Sequence, residues 1–216
     1  METIVPRCVA VVDTFGDRDA VLYPEEQAAV ARAVDKRRRE FTTVRACARE
    51  AMARLGVAPA PIVPGPRGAP TWPAGVVGSM THCQGYRASA LAFRRDVLTI
   101  GIDAEPDAAL PDGVLRSVAL DSEVTAIERL AATHPDTAWD RLLFSAKESV
   151  YKAWFPLTGK WLDFAEAEVV FAPETREFTA RLLVPGPETP GGRIDGFSGR
   201  WLIRQGILAT AIVLPA

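Results

Sequence analysis

Apolar residues recur every three to four positions in two long segments of the chain, which is the spacing of one face of a helix. The first segment ends just before Gly56, a residue type that commonly follows the last turn of a helix. The second covers 137–155, and a shorter segment with the same spacing covers 123–133. The pattern therefore predicts three helices. Their in-phase apolar positions are Phe41, Val44, Ala48, Ala51, Met52 and Leu55 in the first, and Trp139, Leu142, Leu143, Ala146, Val150, Ala153 and Trp154 in the longest.

Short runs that are rich in β-branched and alternating apolar residues predict strands around these helices. The predicted strands cover 3–13, 76–79, 87–94, 97–102, 166–171, 177–184, 199–204 and 207–213. Pro24 suits the first position of a further helix, and Glu25 and Glu26 suit the positive end of its dipole. Helix followed by sheet thus occurs twice. We predict an α+β fold of two packed halves, 1–102 and 103–216, with the strand near residue 100 as the crossing point.

The composition is that of an ordinary globular protein, with 48% hydrophobic and 24% charged residues among 216. No apolar run approaches the ~18 residues of a membrane span. The first seven residues include an acid and lack the apolar region of a secretory signal. Cys8, Cys47 and Cys83 are widely spaced and form no zinc or redox pattern. We therefore expect a cytoplasmic protein with reduced thiols and no membrane partner.

Charge is distributed unevenly, although the net charge is only −2. Segment 32–54 has eight basic and three acidic residues, whereas segment 103–140 has nine acidic and two basic ones. A basic segment can hold phosphates, and an acidic one can hold a divalent cation. A polyphosphate ester with magnesium would use both. Two solvated helix faces would give the same counts.

Two groups of acidic and basic side chains could carry chemistry. Asp103 and Glu105 are two residues apart at the end of a predicted strand, so they project from the same face. Two carboxylates this close repel each other unless a divalent cation binds between them. Glu148 and Lys152 are four apart on the long predicted helix and share a face. They indicate either a third metal carboxylate with a lysine aimed at a phosphate, or a surface ion pair.

Residues 78–82, Gly-Ser-Met-Thr-His, follow a predicted strand. A glycine, two hydroxyls and an imidazole at a strand exit can bind a phosphate, although His82 could equally be a half-buried, hydrogen-bonded histidine. Arg37 and Arg45 are candidates for holding a terminal phosphate, because arginine grips phosphate oxygens in a bidentate manner. A solvated helix face or a nucleic-acid patch would also explain this basic run.

Three motifs occur in order along the chain: G-S-x-T-H at 78–82, G-I-D-A-E at 101–105 and F-S-A-K-E-S-x-x-K at 144–152. Three further stretches accompany them: K-R-R-x-E-F-x-x-V-R at 36–45, G-x-P-x-W-P at 68–73 and Y-K-A-W-F-P at 151–156. In this order and number they resemble the 4′-phosphopantetheinyl transferases of the surfactin-synthetase type, and most closely the actinobacterial and enterobactin-type subgroup. The resemblance runs from about residue 36 to residue 171.

The resemblance implies a fold of two similar α/β halves related by a pseudo-twofold axis, with coenzyme A in the cleft between them. The N-terminal half would contact the 3′-phosphate and adenine, and the C-terminal half would supply the metal carboxylates. The implied reaction transfers the phosphopantetheine arm to a serine of an apo acyl or peptidyl carrier protein and releases adenosine 3′,5′-bisphosphate. Because one chain would supply the whole cleft, a monomer is implied.

The resemblance also implies roles for individual residues. Asp103, Glu105 and Glu148 would hold Mg²⁺, or Mn²⁺, against the pyrophosphate. Glu148 would also be the base for the serine hydroxyl and Lys152 would steady the departing phosphate, so that Asp103, Glu148 and Lys152 form the catalytic set. Related sequences commonly place a lysine in the loop at 64–69, where Arg67 is the only base here. The implied coenzyme A contacts are Arg37, Arg45, Gly65, Arg67, Gly68, Ala69, Ser79, Thr81, His82, Asp103, Glu148 and Lys152.

An apolar segment near Pro111 is a candidate for docking the carrier protein, if it is exposed. Its members are Leu110, Val114, Leu115 and Leu120. A loop packed on the core is the alternative.

Two other functions use the same features. A magnesium-dependent phosphodiesterase would use the three carboxylates to activate water. A nucleic-acid-binding module would use the basic region 36–54. The negative net charge argues against the second alternative, as does the presence of a single aromatic residue, Phe41, in that region.

Overall fold

The fold is described from a computed structural model that covers residues 1–189 and 191–216. The α-helices are α1 (Pro24–Ala29), α2 (Asp35–Arg54), α3 (Val114–Val118), α4 (Asp121–Thr133) and α5 (Trp139–Thr158). The strands are β1 (Ala10–Phe15), β2 (Val76–Cys83), β3 (Tyr86–Phe93), β4 (Val97–Pro106), β5 (Ala167–Ala172), β6 (Glu177–Leu182), β7 (Glu188–Thr189), β8 (Gly192–Arg193), β9 (Gly196–Arg204) and β10 (Ile207–Pro215). Short 3₁₀ turns lie at Glu2–Ile4, Pro66–Gly68 and Phe164–Glu166.

The predicted helices are confirmed as α2, α4 and α5, and Pro24 begins α1. Helix α5 continues beyond its predicted end, through Pro156 to Thr158, and stops at Gly159, whose φ of +64° is left-handed. Glycine adopts this conformation without steric cost. The short helix α3 has too few residues for its apolar period to be visible in the sequence.

The first predicted strand is the least accurate, because residues 2–4 form a 3₁₀ turn and the strand begins only at Ala10. Pro6 lies between them and has no N–H to donate to a sheet. Strands β2 and β4 are each four residues longer than predicted, ending at Cys83 and Pro106. The two segments that the sequence predicts as strand exits therefore lie within strands.

The strands form two larger sheets and a small hairpin. The first sheet has the order β1-β3-β2, the second β4-β10-β9-β6-β5, and β7 pairs with β8. In each larger sheet the first strand in the chain pairs antiparallel with the last one, β1 with β3 and β4 with β10. A long helix is inserted after the first strand in both cases, α2 in one and α5 in the other. The α+β class is confirmed, and in both sheets helices separate the first strand from the later ones.

Three apolar clusters hold these layers together. Residues of α2 pack on the first sheet around Met52 and Leu91. Residues of α5 pack on the second sheet around Leu142 and Phe178. The third cluster joins the two sheets and is rich in small side chains from β3, β4 and β10. Small residues allow the sheets to approach closely, so the two halves share a core.

Strands β2 and β4 are joined through side-chain hydroxyls. The Ile102 N–H donates to Ser79 Oγ at 3.1 Å, and the Ala104 N–H donates to Thr81 Oγ1 at 3.1 Å. These bonds satisfy backbone donors of β4 on the side away from β10. The predicted boundary at residue 102 falls inside β4, and the division into units 1–102 and 103–216 stays a prediction. Among the described residues, no helix combines the length and apolar character needed to cross a bilayer.

Candidate active site

Strand β4 and helix α5 bring an acid and a base together. The Lys152 ammonium lies 2.7 Å from Asp103 Oδ1, and the Thr81 hydroxyl donates to the same oxygen at 3.1 Å. Odd-numbered residues of β4 face α5, as Thr99 also shows by donating to the Ala153 carbonyl. Side chains alternate along a strand, so this register puts both Asp103 and Glu105 on the α5 side.

Glu105 lies one pleat further along β4. Its carboxylate is 3.1 Å from the Arg141 guanidinium, and Arg141 also donates to the carbonyls of Ala108 and Ala109. Burial and the negative charge of Asp103 raise the pKa of Glu105, while Arg141 opposes that shift. No sequence pattern indicated a role for Arg141, which is two turns before Glu148 on the same helix.

Glu148 lies one helical turn before Lys152 on α5 and is half-buried. Burial is the main reason that its pKa is raised; Lys152 lowers it and Asp103 raises it further. A carboxylate with a raised pKa is a stronger base than an exposed one. The arrangement can therefore accept a proton next to the Asp103–Lys152 pair.

The chemistry of this group suits a divalent cation. Asp103 Oδ2 is buried and has no hydrogen-bond partner within the described residues. A buried carboxylate oxygen without a partner loses its hydration and so lowers the stability of the fold. Oxygen ligands of this kind are those that Mg²⁺ prefers. However, no three or more His, Cys, Asp and Glu side chains in 1–189 and 191–216 are gathered as a preformed metal cage. Lys152 and Arg141 neutralise Asp103 and Glu105 instead.

A cleft with a cavity of about 470 Å³ opens beside these residues. Its walls come from α2, the 64–70 loop and β2 on one side, and from α5 on the other. Gly65, Thr81 and Asp103 do not line the cavity, and Pro64 takes the place of Gly65. The predicted contact residues that do line it are Arg37, Arg45, Arg67, Gly68, Ala69, Ser79, His82, Glu148 and Lys152.

Thr81 and His82 lie on opposite faces of β2. The expectation that residues 78–82 form a strand exit is wrong, because this segment pairs with β3 as far as Cys83. Thr81 is buried and bonds to Asp103, so it orients that carboxylate rather than facing the cavity. His82 faces the cleft, where Nε2 contacts Arg37 and Nδ1 lies 3.4 Å from Glu40. Burial, followed by the charge of Arg37, lowers the pKa of His82 to about 4.

Arg37 and Arg45 differ in their freedom to bind a ligand. Arg37 is exposed at the rim of the cleft. Arg45 is buried, lies 3.1 Å above the centre of the Phe41 ring and donates through Nε to the Ile62 carbonyl at 2.8 Å. Burial lowers the pKa of Arg45 to about 10, so the guanidinium is charged at neutral pH. Both arginines line the same cavity.

Comparison of the sequence with known proteins shows which family the chain belongs to. A model of the 4′-phosphopantetheinyl transferase N-terminal domain matches residues 25–92, and a model of the 4′-phosphopantetheinyl transferase superfamily matches residues 99–189. The 4′-phosphopantetheinyl transferase Svp of Streptomyces mobaraensis is 59% identical over 207 residues, which cover 96% of this chain and 84% of that protein. The chain belongs to the 4′-phosphopantetheinyl transferase family.

Two further relatives also cover most of both chains. The 4′-phosphopantetheinyl transferase PptT of Mycobacterium tuberculosis is 48% identical over 197 residues, covering 88% of this chain and 85% of that one. The 4′-phosphopantetheinyl transferase Npt of Nocardia iowensis is 48% identical over 221 residues, covering 98% of each. The resemblance drawn from the motifs is thus confirmed, and the chain is an enzyme of this class with coenzyme A as substrate.

In this transferase, half of the eight basic residues of segment 32–54 lie in internal ion pairs. Four arginines of the basic segment contact acids, Arg39 with Asp17, Arg45 and Arg49 with Glu26, and Arg54 with Glu50. A basic surface free to bind nucleic acid is correspondingly reduced, and the alternative based on region 36–54 is not favoured.

The apolar segment predicted for docking is less exposed than expected. Leu110, Val114, Leu115 and Leu120 are all half-buried, and Leu115 packs against the core beneath α5. Of the two interpretations, packing on the core describes Leu115, because α3 contacts α5. A docking role for this segment stays a prediction.

Tyr151 and Trp161 are two aromatic residues at the site for which the sequence predicts no role. Tyr151 lines both the main cavity and a second one of about 230 Å³, and its ring centre is 4.9 Å from that of Trp161. Its hydroxyl is buried without a hydrogen-bond partner among the described residues. Tyr151 belongs to the Y-K-A-W-F-P stretch, but a tyrosine in a helical apolar stripe is hard to tell from a core residue by sequence.

Proposed function

We propose that this protein binds coenzyme A in the cleft and transfers its phosphopantetheine arm to a serine of an apo acyl or peptidyl carrier protein, releasing adenosine 3′,5′-bisphosphate. The observation that carries the proposal is that Glu148 and the Asp103–Lys152 pair lie beside a cavity that Arg37 and Arg45 also line. Family membership, established over nearly the whole chain, supports the same reaction.

In this proposal the N-terminal half holds the nucleotide. Arg37, Arg45 and His82 bind phosphate oxygens, while the segment from Gly65 to Ala69 flanks the adenine. Ser79 contributes from the cavity wall. A neutral His82 has one N–H donor and one acceptor nitrogen, so its phosphate contact would be a hydrogen bond rather than an ion pair. The smaller cavity, which shares Glu148 and Tyr151 with the main one, is suited by its aromatic lining to the pantetheine arm.

The C-terminal half supplies the reacting groups. Glu148 accepts the proton of the incoming serine hydroxyl, directly or through water, and its raised pKa suits this task. Lys152 places positive charge next to the departing phosphate. Thr81 and Lys152 together fix the orientation of Asp103.

Asp103, Glu105 and Glu148 are the residues that would hold Mg²⁺ or Mn²⁺. A bound divalent cation would supply charge that stabilises the negative oxygens of the pyrophosphate. The partnerless oxygen of Asp103 supports this assignment. Alignment of the serine oxygen with phosphorus is the other contribution of the protein, since positioning lowers the barrier by several kcal/mol.

The proposal also includes the docking surface for the carrier protein, the oligomeric state and the cellular compartment. Leu110, Val114 and Leu120 on the α3 side are proposed to contact the carrier, with Leu115 supporting them from the core. We expect a cytoplasmic monomer without a nucleic-acid partner. Its three free cysteines agree with a reducing compartment.

One experiment tests the proposed function directly. The protein is incubated with coenzyme A, Mg²⁺ and a panel of apo carrier proteins, and each carrier is weighed by mass spectrometry. A mass gain of one phosphopantetheine group is expected on at least one carrier. Hydrolysis of coenzyme A without any carrier would instead support the phosphodiesterase alternative, and unchanged carriers across the panel would overturn the proposal.

A further inference from the structure

Glu26 is a fully buried carboxylate in the first turn of α1. Its place in the sequence, at the positive end of a short helix, predicts an exposed side chain instead. It accepts hydrogen bonds from the backbone N–H of Tyr23 at 3.0 Å and from that of Ile62 at 2.8 Å. The Arg49 guanidinium contacts both of its oxygens, at 3.0 and 2.9 Å. Arg45 Nε lies 3.9 Å away. One side chain therefore ties together α1, α2 and the chain that follows α2.

The peptide around Ile62 is held from both sides. Glu26 accepts from its N–H, and Arg45 donates to its carbonyl at 2.8 Å. The next residue, Val63, accepts from both the backbone N–H and the hydroxyl of Thr71, at 3.0 and 2.9 Å. These contacts close the base of the 64–70 loop, which is one wall of the cleft. Glu26 is thus attached to the root of that wall.

The same network fixes the direction of Arg45. Its Nε donates to the Ile62 carbonyl and its Nη1 to the Phe41 carbonyl at 3.4 Å, while the guanidinium carbon lies 3.1 Å from the centre of the Phe41 ring. Nη2 makes no hydrogen bond within the described part of the chain, and Arg45 lines the cavity. The protein uses two of the five N–H donors of Arg45, and these two contacts orient the N–H groups of Nη2 that remain for a ligand.

We infer that Glu26 is a positioning residue for coenzyme A. It holds Arg45 and the root of the 64–70 loop so that Arg45 meets the 3′-phosphate, and it does so without touching the ligand. This inference rests on the proposed function, since it takes coenzyme A as the ligand of the cleft. A purely structural role for Glu26 would weaken the fold and affect every ligand alike.

The test compares ligands that differ only in the 3′-phosphate. Binding of coenzyme A and of dephospho-coenzyme A is measured by isothermal titration calorimetry for the wild type and for Glu26→Gln. The variant is expected to lower the affinity for coenzyme A about tenfold, the size of a weakened charge-assisted hydrogen bond, and to leave the affinity for dephospho-coenzyme A within about threefold. In carrier assays its KM for coenzyme A should rise while kcat is nearly retained.

Glu123 provides a matched control in the other half of the chain. It is also buried, accepts from the N–H groups of Leu120 and Val169 and pairs with the buried Lys147 at 2.7 Å. Glu123→Gln should lower thermal stability to a similar extent as Glu26→Gln without changing the ratio of the two affinities. If Glu26→Gln does not fold, Glu26→Asp keeps the charge and shortens its reach, and it should show the same selective loss.

An equal loss for both ligands, or no loss for coenzyme A, would overturn the inference. The proposed function has a separate readout. A wild-type protein that binds coenzyme A but modifies no carrier would refute the transfer reaction while leaving the comparison of the two ligands intact.

Discussion

Gly101 of β4 lies directly against the backbone of Ser149 in α5. A Cβ atom at position 101 would stand far inside van der Waals contact with the Ser149 carbonyl oxygen, and 2.8 Å from the Ala153 nitrogen. The missing side chain lets the helix approach the strand closely enough for Lys152 to reach Asp103. The glycine of the G-I-D-A-E motif is therefore a packing requirement of the site.

Gly101→Ala should force α5 away from β4. We expect the free energy of unfolding to fall by about 2 kcal/mol or more and the transfer rate to fall at least about tenfold, because overpacking is costly and Glu148 would shift with the helix. Urea unfolding and the carrier assay measure the two effects. Gly191→Ala, where the nearest atom would be at an ordinary 3.8 Å, should change neither. Wild-type activity in Gly101→Ala would refute this account.

Glu148→Gln should abolish turnover and preserve the fold. The amide cannot accept the serine proton, so we expect kcat to fall by about 10²–10⁴-fold. A polar near-isostere at a half-buried helix position changes stability little, so the melting temperature should move by only a few degrees. Retained activity would remove Glu148 from the role of base.

Thr81→Val should lower kcat by misorienting Asp103. The valine keeps the shape of threonine but loses the hydroxyl that bonds to Asp103 and to the Ala104 N–H, at a cost of about 1–3 kcal/mol in stability. Thr43→Val is the matched control, because the buried Thr43 hydroxyl also accepts one hydrogen bond and donates another, in its case to the backbone of Arg18 and not to Asp103. The control should lose stability without losing kcat. Equal kcat values in the two variants would contradict the proposed role of Thr81.

His82 should make the protein less stable as the pH falls from about 6.5 towards 4. Burial and Arg37 lower its pKa in the folded state to about 4 from an ordinary 6.5, so the unfolded chain binds more protons in this window. The wild type and His82→Gln are compared by urea unfolding between pH 4.5 and 7.5. The variant should show a shallower loss of stability at acid pH. Identical slopes would show that His82 titrates normally.

Leu120→Asp should raise the KM for the carrier protein by about tenfold while the affinity for coenzyme A stays unchanged, since a buried apolar contact at an interface is worth about that much. The two quantities are measured by steady-state kinetics and by calorimetry. Leu115→Asp should instead lower the melting temperature, because Leu115 packs on the core. An unaltered carrier KM in Leu120→Asp would exclude this surface from docking.

Local patterns in the sequence predicted much of the fold and part of the site. The long helices and most strands follow from apolar periodicity, which reflects burial of one face. Asp103, Glu148 and Lys152 were proposed from spacing and motif, and the structure brings them together. Residues 78–82 were misassigned to a strand exit because strand ends depend on pairing partners, and Cys83 is held by Tyr86 across the turn.

The sequence by itself determined the class of fold, the family and the side chains proposed to react, because these depend on residue order and local period. Only the tertiary structure decided which charges are free and which are already paired. Glu26 and Glu25 are neighbours in one helical turn with the same chemistry, yet one is buried among arginines and the other faces solvent. That difference is set by α2 and the chain near Ile62, which contact Glu26 from distant parts of the sequence, and no local pattern records such contacts.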